Sequence, residues 1–234
     1  MATETAVVQP MPDRRSSLVE DAYGALKRAV RESEFPPGHQ VSEQELALKL
    51  GMSRTPIHEA VLRLQEEGLV RILPKRGILI CAIAPEDMRE IFEVVIAIEG
   101  SAAELAAGLP EVLRVTLADD LDRQTDRMEA ALREGDLVER GLSDAEFHRL
   151  LVERCGNGRF ARIMQTVNDQ SHRARVLTAK LRPRLADSVP EHRAIAAAIR
   201  VGDGLVALEA SRRHRIRAQN EILPLIESFG LRHL

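Results

Sequence analysis

SRTPIHEAVLRLQEEGLVRILPKRGILI, residues 53–80, is the stretch that decides the fold of the N-terminal part of the chain. Its first half has apolar residues at helical spacing on one side and polar residues on the other. The apolar positions are Ile57, Val61, Leu62 and Leu64. Ser53 is placed as the N-cap, Pro56 fits the first turn, and Gly68 stops the pattern. The stretch therefore begins with a helix.

The second half of this stretch predicts a β-hairpin. Two apolar runs, residues 69–73 and 78–83, flank the tip sequence PKRG at residues 74–77, which carries two cations. A helix that begins with Arg54 and Thr55 beside a cationic hairpin is typical of a winged helix-turn-helix. In that motif the helix N-terminus reads the major groove of DNA, and the wing touches the backbone or the minor groove.

The residues before the stretch predict a first helix and a strand. Leu18–Arg31 is amphipathic, with its apolar residues on one side. Phe35-Pro36-Pro37-Gly38 breaks this helix, because neither proline can continue it. Val41 follows the break and is expected to make a short strand contact.

A second helix is predicted immediately before residue 53. Ser42 is placed to cap a helix over Glu43–Leu50, and Glu45 stands at the position that completes a capping box. Three helices and a wing therefore fit within residues 16–83. Residues 1–15 are expected to form a flexible arm.

From residue 85 the pattern is helical throughout, without strand alternation. Glycine and proline breaks separate six predicted helices, near residues 85–107, 111–134, 136–155, 158–181, 187–201 and 203–228. Six helices of this length form an antiparallel bundle. The sequence therefore predicts a mainly α protein, with an N-terminal winged helix-turn-helix and a C-terminal all-helical antiparallel bundle over residues 85–230.

Composition narrows the class of protein. The 234 residues suffice for two domains, and the net charge of -3 means that any DNA contact must come from a local patch. Residues 53–76 supply such a patch, with Arg54, Arg63, Arg71, Lys75 and Arg76. Two cysteines favour a reduced, cytoplasmic protein without disulfides. No apolar run approaches the roughly 20 residues that span a bilayer, so no membrane partner is expected.

Four residues of the second domain form a candidate metal site. Asp144 and His148 are four residues apart and share a face of one predicted helix, while His192 and His214 lie on two later helices. One carboxylate and three imidazoles on three helices are a plausible ligand set for a divalent metal inside a bundle. Octahedral coordination would leave two positions for water or an organic ligand. The alternative interpretation is that these histidines are hydrogen-bonded surface or core residues.

Two residues of the helix over 158–181 are candidates for the wall of the same cavity. His172 lies there among basic residues, and Asn168 is a polar residue in mid-helix. The alternative is that both lie on a solvated face.

These motifs resemble a known family of regulators. The matching segments are FPPG at 35–38, VSEQELA at 41–47, LGMSRTP at 50–56, EAV at 59–61, EGLV at 67–70 and RG at 76–77. Together they are similar to the DNA-binding domain of GntR-family transcription regulators. The resemblance covers residues 16–83.

The second domain resembles the all-helical FadR-type effector domain called FCD, in its six-helix VanR-like branch. The resemblance is carried by Asp144-x3-His148, Cys155-Gly156-Asn157, Glu191-His192, and His214 at 22 residues after His192. It implies that Asp144, His148, His192 and His214 bind a divalent metal such as Zn or Ni. It also implies that the metal helps to hold a small carboxylate effector.

Three positions depart from the family pattern. Gln44 and His58 stand where relatives usually have arginines that contact DNA, so the preferred operator should differ. Val95 stands where relatives often have an arginine that meets the carboxylate of the effector. Arg173 or Arg175 could take over that role, or the effector could be less acidic.

The preferred hypothesis is a homodimeric, ligand-responsive transcription repressor that is not an enzyme. Each wing domain would read one half of a pseudo-palindromic operator. Arg54 would contact a guanine, Gln44 and His58 other bases, Ser53 and Thr55 the phosphates, and Lys75, Arg76 and Gly77 the backbone or minor groove. Two alternatives remain open at this point. They are a metal-dependent enzyme, and a DNA-binding protein with a purely structural metal.

Overall fold

A computed structural model describes residues 14–81, 84–182 and 185–228 of the chain. Its contacts divide the chain into two compact units, one ending at Cys81 and one beginning at Ala82. Residues 1–13 of the predicted arm lie outside the described residues.

The first unit contains three helices and a small sheet. In chain order these are α1 (Arg14–Arg31), β1 (Gln40–Val41), α2 (Glu43–Leu50), α3 (Arg54–Glu66), β2 (Val70–Leu73) and β3 (Gly77–Ile80). Helix α1 begins at Arg14 rather than at the predicted Leu18. No glycine or proline separates these two positions, so nothing in the sequence stops the helix from starting earlier.

Local hydrogen bonds fix the helix-turn-helix. The capping box of α2 is present: Glu45 N–H donates to Ser42 Oγ at 3.2 Å, and Ser42 N–H donates to Glu45 Oε2 at 2.8 Å. Gly51 ends α2 with a left-handed φ of 65°. Ser53 occupies the N-cap position of α3, but its side chain makes no capping hydrogen bond. Its hydroxyl is therefore available for another partner.

The three strands form an antiparallel sheet in the order β1-β3-β2. At the tip, Leu73 pairs with Gly77, whose φ is 96°. A Cβ atom at Gly77 would lie 2.7 Å from the carbonyl oxygen of Val41. Only glycine fits this close approach between the wing and β1. Gly77, predicted as a DNA contact, therefore also has a structural role.

The core of the first unit joins the helices to the sheet. Its side chains are aliphatic apart from Phe35, and they include the fully buried Leu26, Leu46, Ile57, Leu64 and Ile80. The Arg63 guanidinium also lies 3.6 Å from the centroid of the Tyr23 ring, which ties α3 to α1. These contacts leave the N-terminus of α3 on the surface of the unit.

The second unit is a helical bundle. Its elements are α4 (Pro85–Ala107), α5 (Glu111–Glu134), α6 (Leu137–Glu153), α7 (Gly158–Thr178), 3-10 turns at Ala179–Leu181 and Leu185–Asp187, α8 (Ser188–Val201) and α9 (Gly204–Ser228). The predicted fold class is confirmed. The helix predicted to Leu181 ends at Thr178 and continues as a 3-10 turn, shortly before Pro183, which lies outside the described residues.

Helix α4 packs along α9, and α5 packs against α6 and α8. Alanines of α4, among them Ala102, Ala103 and Ala106, are fully buried and allow the helices to approach closely. This core surrounds an unusually polar centre on α4, α6, α8 and α9. None of the described helices is both long and apolar enough to cross a membrane.

Candidate metal site and nucleic-acid interface

Three histidines from three helices meet inside the bundle. His148 on α6, His192 on α8 and His214 on α9 are all at least 97% buried, with exposed fractions of 1%, 0% and 3%. The Nε2 atom of His192 lies 3.2 Å from Nε2 of His148 and 3.2 Å from Nε2 of His214. The three ring nitrogens therefore surround one point.

Carboxylates on the far side orient two of the three rings. His148 Nδ1 lies 3.0 Å from Glu99 Oε2, and His214 Nδ1 lies 2.7 Å from Glu191 Oε2. An ionised carboxylate only accepts hydrogen bonds, so Nδ1 of His214 carries the proton and its Nε2 directs a lone pair inward. Nδ1 of His148 lies beside Glu99 without an aligned hydrogen bond, and the nearby carboxylate favours the same tautomer.

Each of these carboxylates is held by an arginine. Arg215 donates to both oxygens of Glu99, and Arg217 donates to both oxygens of Glu191. Paired hydrogen bonds of this kind fix the plane of a carboxylate. The ring positions of His148 and His214 are therefore set by a second layer of residues.

The ring of His192 is held differently. Phe147 stacks on it, with ring centroids 4.0 Å apart and an angle of 14° between the planes. Its Nδ1 atom is buried and makes no hydrogen bond within the part of the chain that the structure describes. Packing rather than a carboxylate therefore positions this ring.

The electrostatic environment keeps the three imidazoles neutral. Burial lowers the pKa of His148, and the nearby Arg215 charge lowers it further. Burial also places the pKa values of His192 and His214 well below the ordinary value, and the neighbouring histidines add to the effect. Neutral imidazole is the form that binds metal ions.

The neighbouring carboxyls stay ionised. Burial alone would raise the pKa of Glu99, but Arg215 and His148 together outweigh it and the net shift is downward. In the same way, burial alone would raise the pKa of Asp144, but the combined effect of its neighbours, Arg140 foremost, keeps that pKa well below its usual range.

The geometry fits a divalent metal. Three ring nitrogens that could each offer a lone pair lie within 4.8 Å of one another. An ion about 2.1 Å from each nitrogen separates the nitrogens by about 3.0–3.4 Å, depending on whether its coordination is octahedral or tetrahedral. The two distances from Nε2 of His192, each 3.2 Å, lie in this range. Imidazole ligands suit zinc, nickel, copper and iron.

Asp144, the fourth predicted ligand, does not lie in the group of converging donors. Its Oδ1 accepts from Arg140 Nη2 at 3.0 Å, and its Oδ2 lies 3.6 Å from Arg175 Nε. The structure thus brings three of the four predicted ligands together and pairs the fourth with two buried or nearly buried arginines.

The predicted effector residues all belong to α7. Arg175 reaches Asp144, and burial lowers its pKa to about 10. His172 and Arg173 are buried, with exposed fractions of 3% and 2%. Asn168 is half-buried, and its Oδ1 accepts no hydrogen bond from the described residues. Val95, where relatives often carry an arginine, is buried.

The sequence did not reveal Glu99, Arg140, Arg215 and Arg217 as parts of the site. Arg140 precedes Asp144 by one helical turn and could have been found from that spacing. Glu99 is a charged residue within a largely apolar stretch of α4, and this contrast could have indicated a buried polar site. Its partner Arg215 lies on α9, and a partner so far along the chain cannot be read from local spacing.

A cleft of about 420 Å³ opens between α8 and α9 beside this site. Its lining residues are Pro190, Glu191, Ala194, Ala210, Arg213, His214 and Arg217. Three of these residues, His214, Glu191 and Arg217, also belong to the histidine cluster and its second layer of residues. A small molecule in the cleft could therefore approach the site.

The predicted DNA contacts lie on the surface of the first unit. Gln44, Ser53, Arg54, Thr55, His58, Lys75 and Arg76 are exposed, and Gly77 is half-buried. Sequence reasoning missed Glu43, in the first turn of α2. Its Oε1 lies 2.6 Å from His58 Nδ1, and its Oε2 lies 3.8 Å from Arg54 Nη2.

A winged helix-turn-helix with an exposed basic reading helix, followed by a helical domain with a buried polar site, defines a DNA-binding regulator with a sensing domain. Residues 18–80 match the bacterial regulatory proteins of the gntR family, and residues 90–217 match the FCD domain. The chain belongs to the GntR family of transcription regulators and carries an FCD effector domain.

Individual relatives agree with this assignment. An uncharacterised HTH-type transcriptional regulator from the TAR-I ttuE-ttuC' intergenic region of Agrobacterium vitis is 50% identical over 134 residues, which are 57% of this chain and 78% of that relative. The HTH-type transcriptional repressor RspR of Escherichia coli is 28% identical over 57% of this chain and 58% of its own length. The solved structure of E. coli McbR/YncC has the same fold, with a TM-score of 0.77, 16% identity, and coverage of 91% of this chain and 98% of that one.

The comparisons also narrow the functional class. The matching families and relatives are transcription regulators and not enzymes. GntR regulators bind DNA, and FCD domains bind small-molecule effectors and are commonly metal-binding.

The Glu99–Arg215 pair should be a major determinant of the stability of the bundle. Substitution Glu99→Gln leaves the Arg215 charge buried without its partner, and we expect a loss of about 3–5 kcal/mol in the free energy of unfolding. The matched control is Glu227→Gln, which removes an ion pair with Arg89 whose side chains are both 48% exposed. This control should cost less than about 1 kcal/mol. Chemical denaturation followed by circular dichroism measures both, and equal losses would contradict the prediction.

Proposed function

We propose that this protein is a homodimeric repressor whose binding to a pseudo-palindromic operator is modulated by a small organic acid held beside a metal in the FCD domain. The observation that carries the proposal is the convergence of the Nε2 atoms of His148, His192 and His214 on one point. Buried arginines beside this point, Arg140 and Arg175, supply the positive charge that a carboxylate effector requires.

His148, His192 and His214 would hold the metal, with Asp144 as the proposed fourth ligand. A bound divalent ion would supply open coordination positions and positive charge for an anionic ligand. Glu99 and Glu191 hold the imidazoles in the tautomer that presents Nε2 inward, and they keep the ring orientations fixed.

Arg140, Arg175 and the other candidate residues of α7 would bind the effector. Asp144 is shared by Arg140 and Arg175, so two cations face one anion in this part of the site. This excess of positive charge favours an additional carboxylate group. Arg173, His172 and Asn168 are proposed to line the remainder of the site, and Arg175 takes the role of the arginine that is absent at Val95.

DNA binding is proposed to use the exposed surface of α2, α3 and the wing. Arg54 is the proposed guanine contact, and Gln44 and His58 are proposed to contact other bases. Ser53 and Thr55 would contact phosphates, because Ser53 is not engaged in capping its own helix. Lys75, Arg76 and Gly77 of the wing would reach the backbone or the minor groove.

Regulation requires that the effector bind more tightly to one state of the dimer than to the other. A tenfold change in operator affinity corresponds to a coupling free energy of about 1.4 kcal/mol. The name of RspR as a repressor supports repression as the direction of control.

The DNA contact can be tested at Arg54. Replacing it with alanine removes the proposed guanine contact, and we expect operator affinity to fall by about tenfold or more. A mobility-shift assay on the protein's own promoter measures this loss. Arg159→Ala, at an exposed arginine of α7, is the control that removes one charge and should bind as the wild type does. Undiminished binding by the Arg54 variant would refute the assignment.

The metal site can be tested by elemental analysis of purified protein. We expect His148→Ala and His214→Ala to lose bound divalent metal, because each removes one of three converging nitrogens. His39→Ala, at an exposed histidine of the first unit, should keep the metal content of the wild type. Circular dichroism would show whether the variants remain folded. Unchanged metal content in folded variants of His148 and His214 would refute the site.

The effector class can be tested by a thermal-shift screen of small organic acids, with and without divalent metal. We expect at least one acid to raise the melting temperature of the metal-loaded protein, since a ligand stabilises the state that binds it. Arg175→Gln should reduce this shift, because it removes one proposed carboxylate contact. Arg149→Gln, at an exposed arginine of α6, is the control. A shift that Arg175→Gln leaves unchanged would exclude Arg175 from the effector site.

A further inference from the structure

Glu43 lies close to both Arg54 and His58, the two residues of α3 that are proposed to contact DNA bases. Its Oε1 lies 2.6 Å from His58 Nδ1, and its Oε2 lies 3.8 Å from Arg54 Nη2. The side chains of His58 and Arg54 are 52% and 70% exposed, whereas that of Glu43 is 26% exposed. The carboxylate therefore lies behind the two basic side chains.

The backbone that carries this carboxylate is well fixed. Glu43 is the first residue of α2, directly after the N-cap Ser42. The reciprocal hydrogen bonds between Ser42 and Glu45 hold that turn. A negative side chain in the first turn also interacts favourably with the helix dipole. Glu43 can therefore act as a fixed acceptor for His58.

The contact determines which hydrogen bonds His58 can make. A carboxylate only accepts, so the proton of the neutral imidazole must be on Nδ1. Nε2 of the same ring then has no proton and is an acceptor. An unconstrained neutral histidine could present a donor or an acceptor, whereas the neutral form of His58, held by Glu43, presents an acceptor alone.

In the major groove an acceptor is complementary to the exocyclic amino groups, N6 of adenine and N4 of cytosine. An arginine at the same place would instead donate to O6 and N7 of guanine. With arginine at this position the base must offer hydrogen-bond acceptors, whereas with the carboxylate-held histidine the base must offer a donor.

We propose that Glu43 is a positioning residue that makes His58 read an amino-bearing base, adenine or cytosine, at one position of each operator half-site. This inference rests on the proposed DNA-binding function and adds the identity of the group that is read. Arg54 is 3.8 Å from Glu43 and more exposed than His58, so it remains able to contact a guanine beside that position.

The test is selection from a randomised double-stranded oligonucleotide library by the full-length protein at pH 8. The variants are Glu43→Ala, His58→Ala and His58→Arg. Glu66→Ala removes an exposed acidic residue from the opposite end of α3 and is the control. The position that His58 reads is the one at which the His58→Arg preference differs from that of the wild type.

At that position we expect the wild type and Glu66→Ala to prefer adenine or cytosine. His58→Arg should prefer guanine. Glu43→Ala and His58→Ala should each lose about three- to tenfold in discrimination, the worth of one hydrogen bond. This ratio compares DNA sequences bound by the same protein, so a partly unfolded variant does not change it.

Two results would overturn the inference. One is an unchanged preference in Glu43→Ala. The other is a preference for adenine or cytosine that persists in His58→Ala, because Glu43 would then read the base directly. Failure of the underlying function has a different signature, since wild-type protein would then enrich no sequence and Arg54→Ala would have no effect on enrichment.

Discussion

Three buried imidazoles whose Nε2 atoms meet at one point are the constraint on which the centre of the helical domain depends. Burial disfavours their protonation, so a bound divalent cation would suit this arrangement. A second layer of residues surrounds the rings. Glu191 accepts from Nδ1 of His214, Glu99 lies beside Nδ1 of His148, and Arg215 and Arg217 hold those carboxylates. Four helices are thereby tied to a single centre.

The charges around this centre explain its proposed ligand. Arg215 donates two paired hydrogen bonds to the Glu99 carboxylate, which balances its charge. Asp144, in contrast, is shared between Arg140 and Arg175, and burial has already lowered the pKa of Arg175 to about 10. A buried guanidinium that shares its counterion with another cation is stabilised when a further anion binds beside it. Arg140 and Arg175 are therefore the proposed carboxylate partners in a site that has no arginine at Val95.

The sequence predicted features that depend on local spacing. Helices α2, α4, α5 and α8 each end at a glycine, and the Ser42–Glu45 capping box needs only three residues of separation. His148, His192 and His214 were found because of their chemistry. Glu99 with Arg215 and Glu43 with His58 were not found, because each pair joins two helices. Which side chains meet across a helix interface depends on packing angle and rotation, and periodicity within one helix does not contain that information.

Contacts within the first unit hold the groups that are proposed to choose the operator sequence. Glu43 fixes His58, the capping box fixes the turn that carries Glu43, and the approach of Val41 fixes the wing at Gly77. A regulator that works by population shift needs an effector that binds one state of the protein more tightly than the other. The residues proposed to read the operator and those proposed to bind the effector belong to different units, so the departure from the family pattern at His58 concerns the proposed operator sequence and not the proposed sensing site.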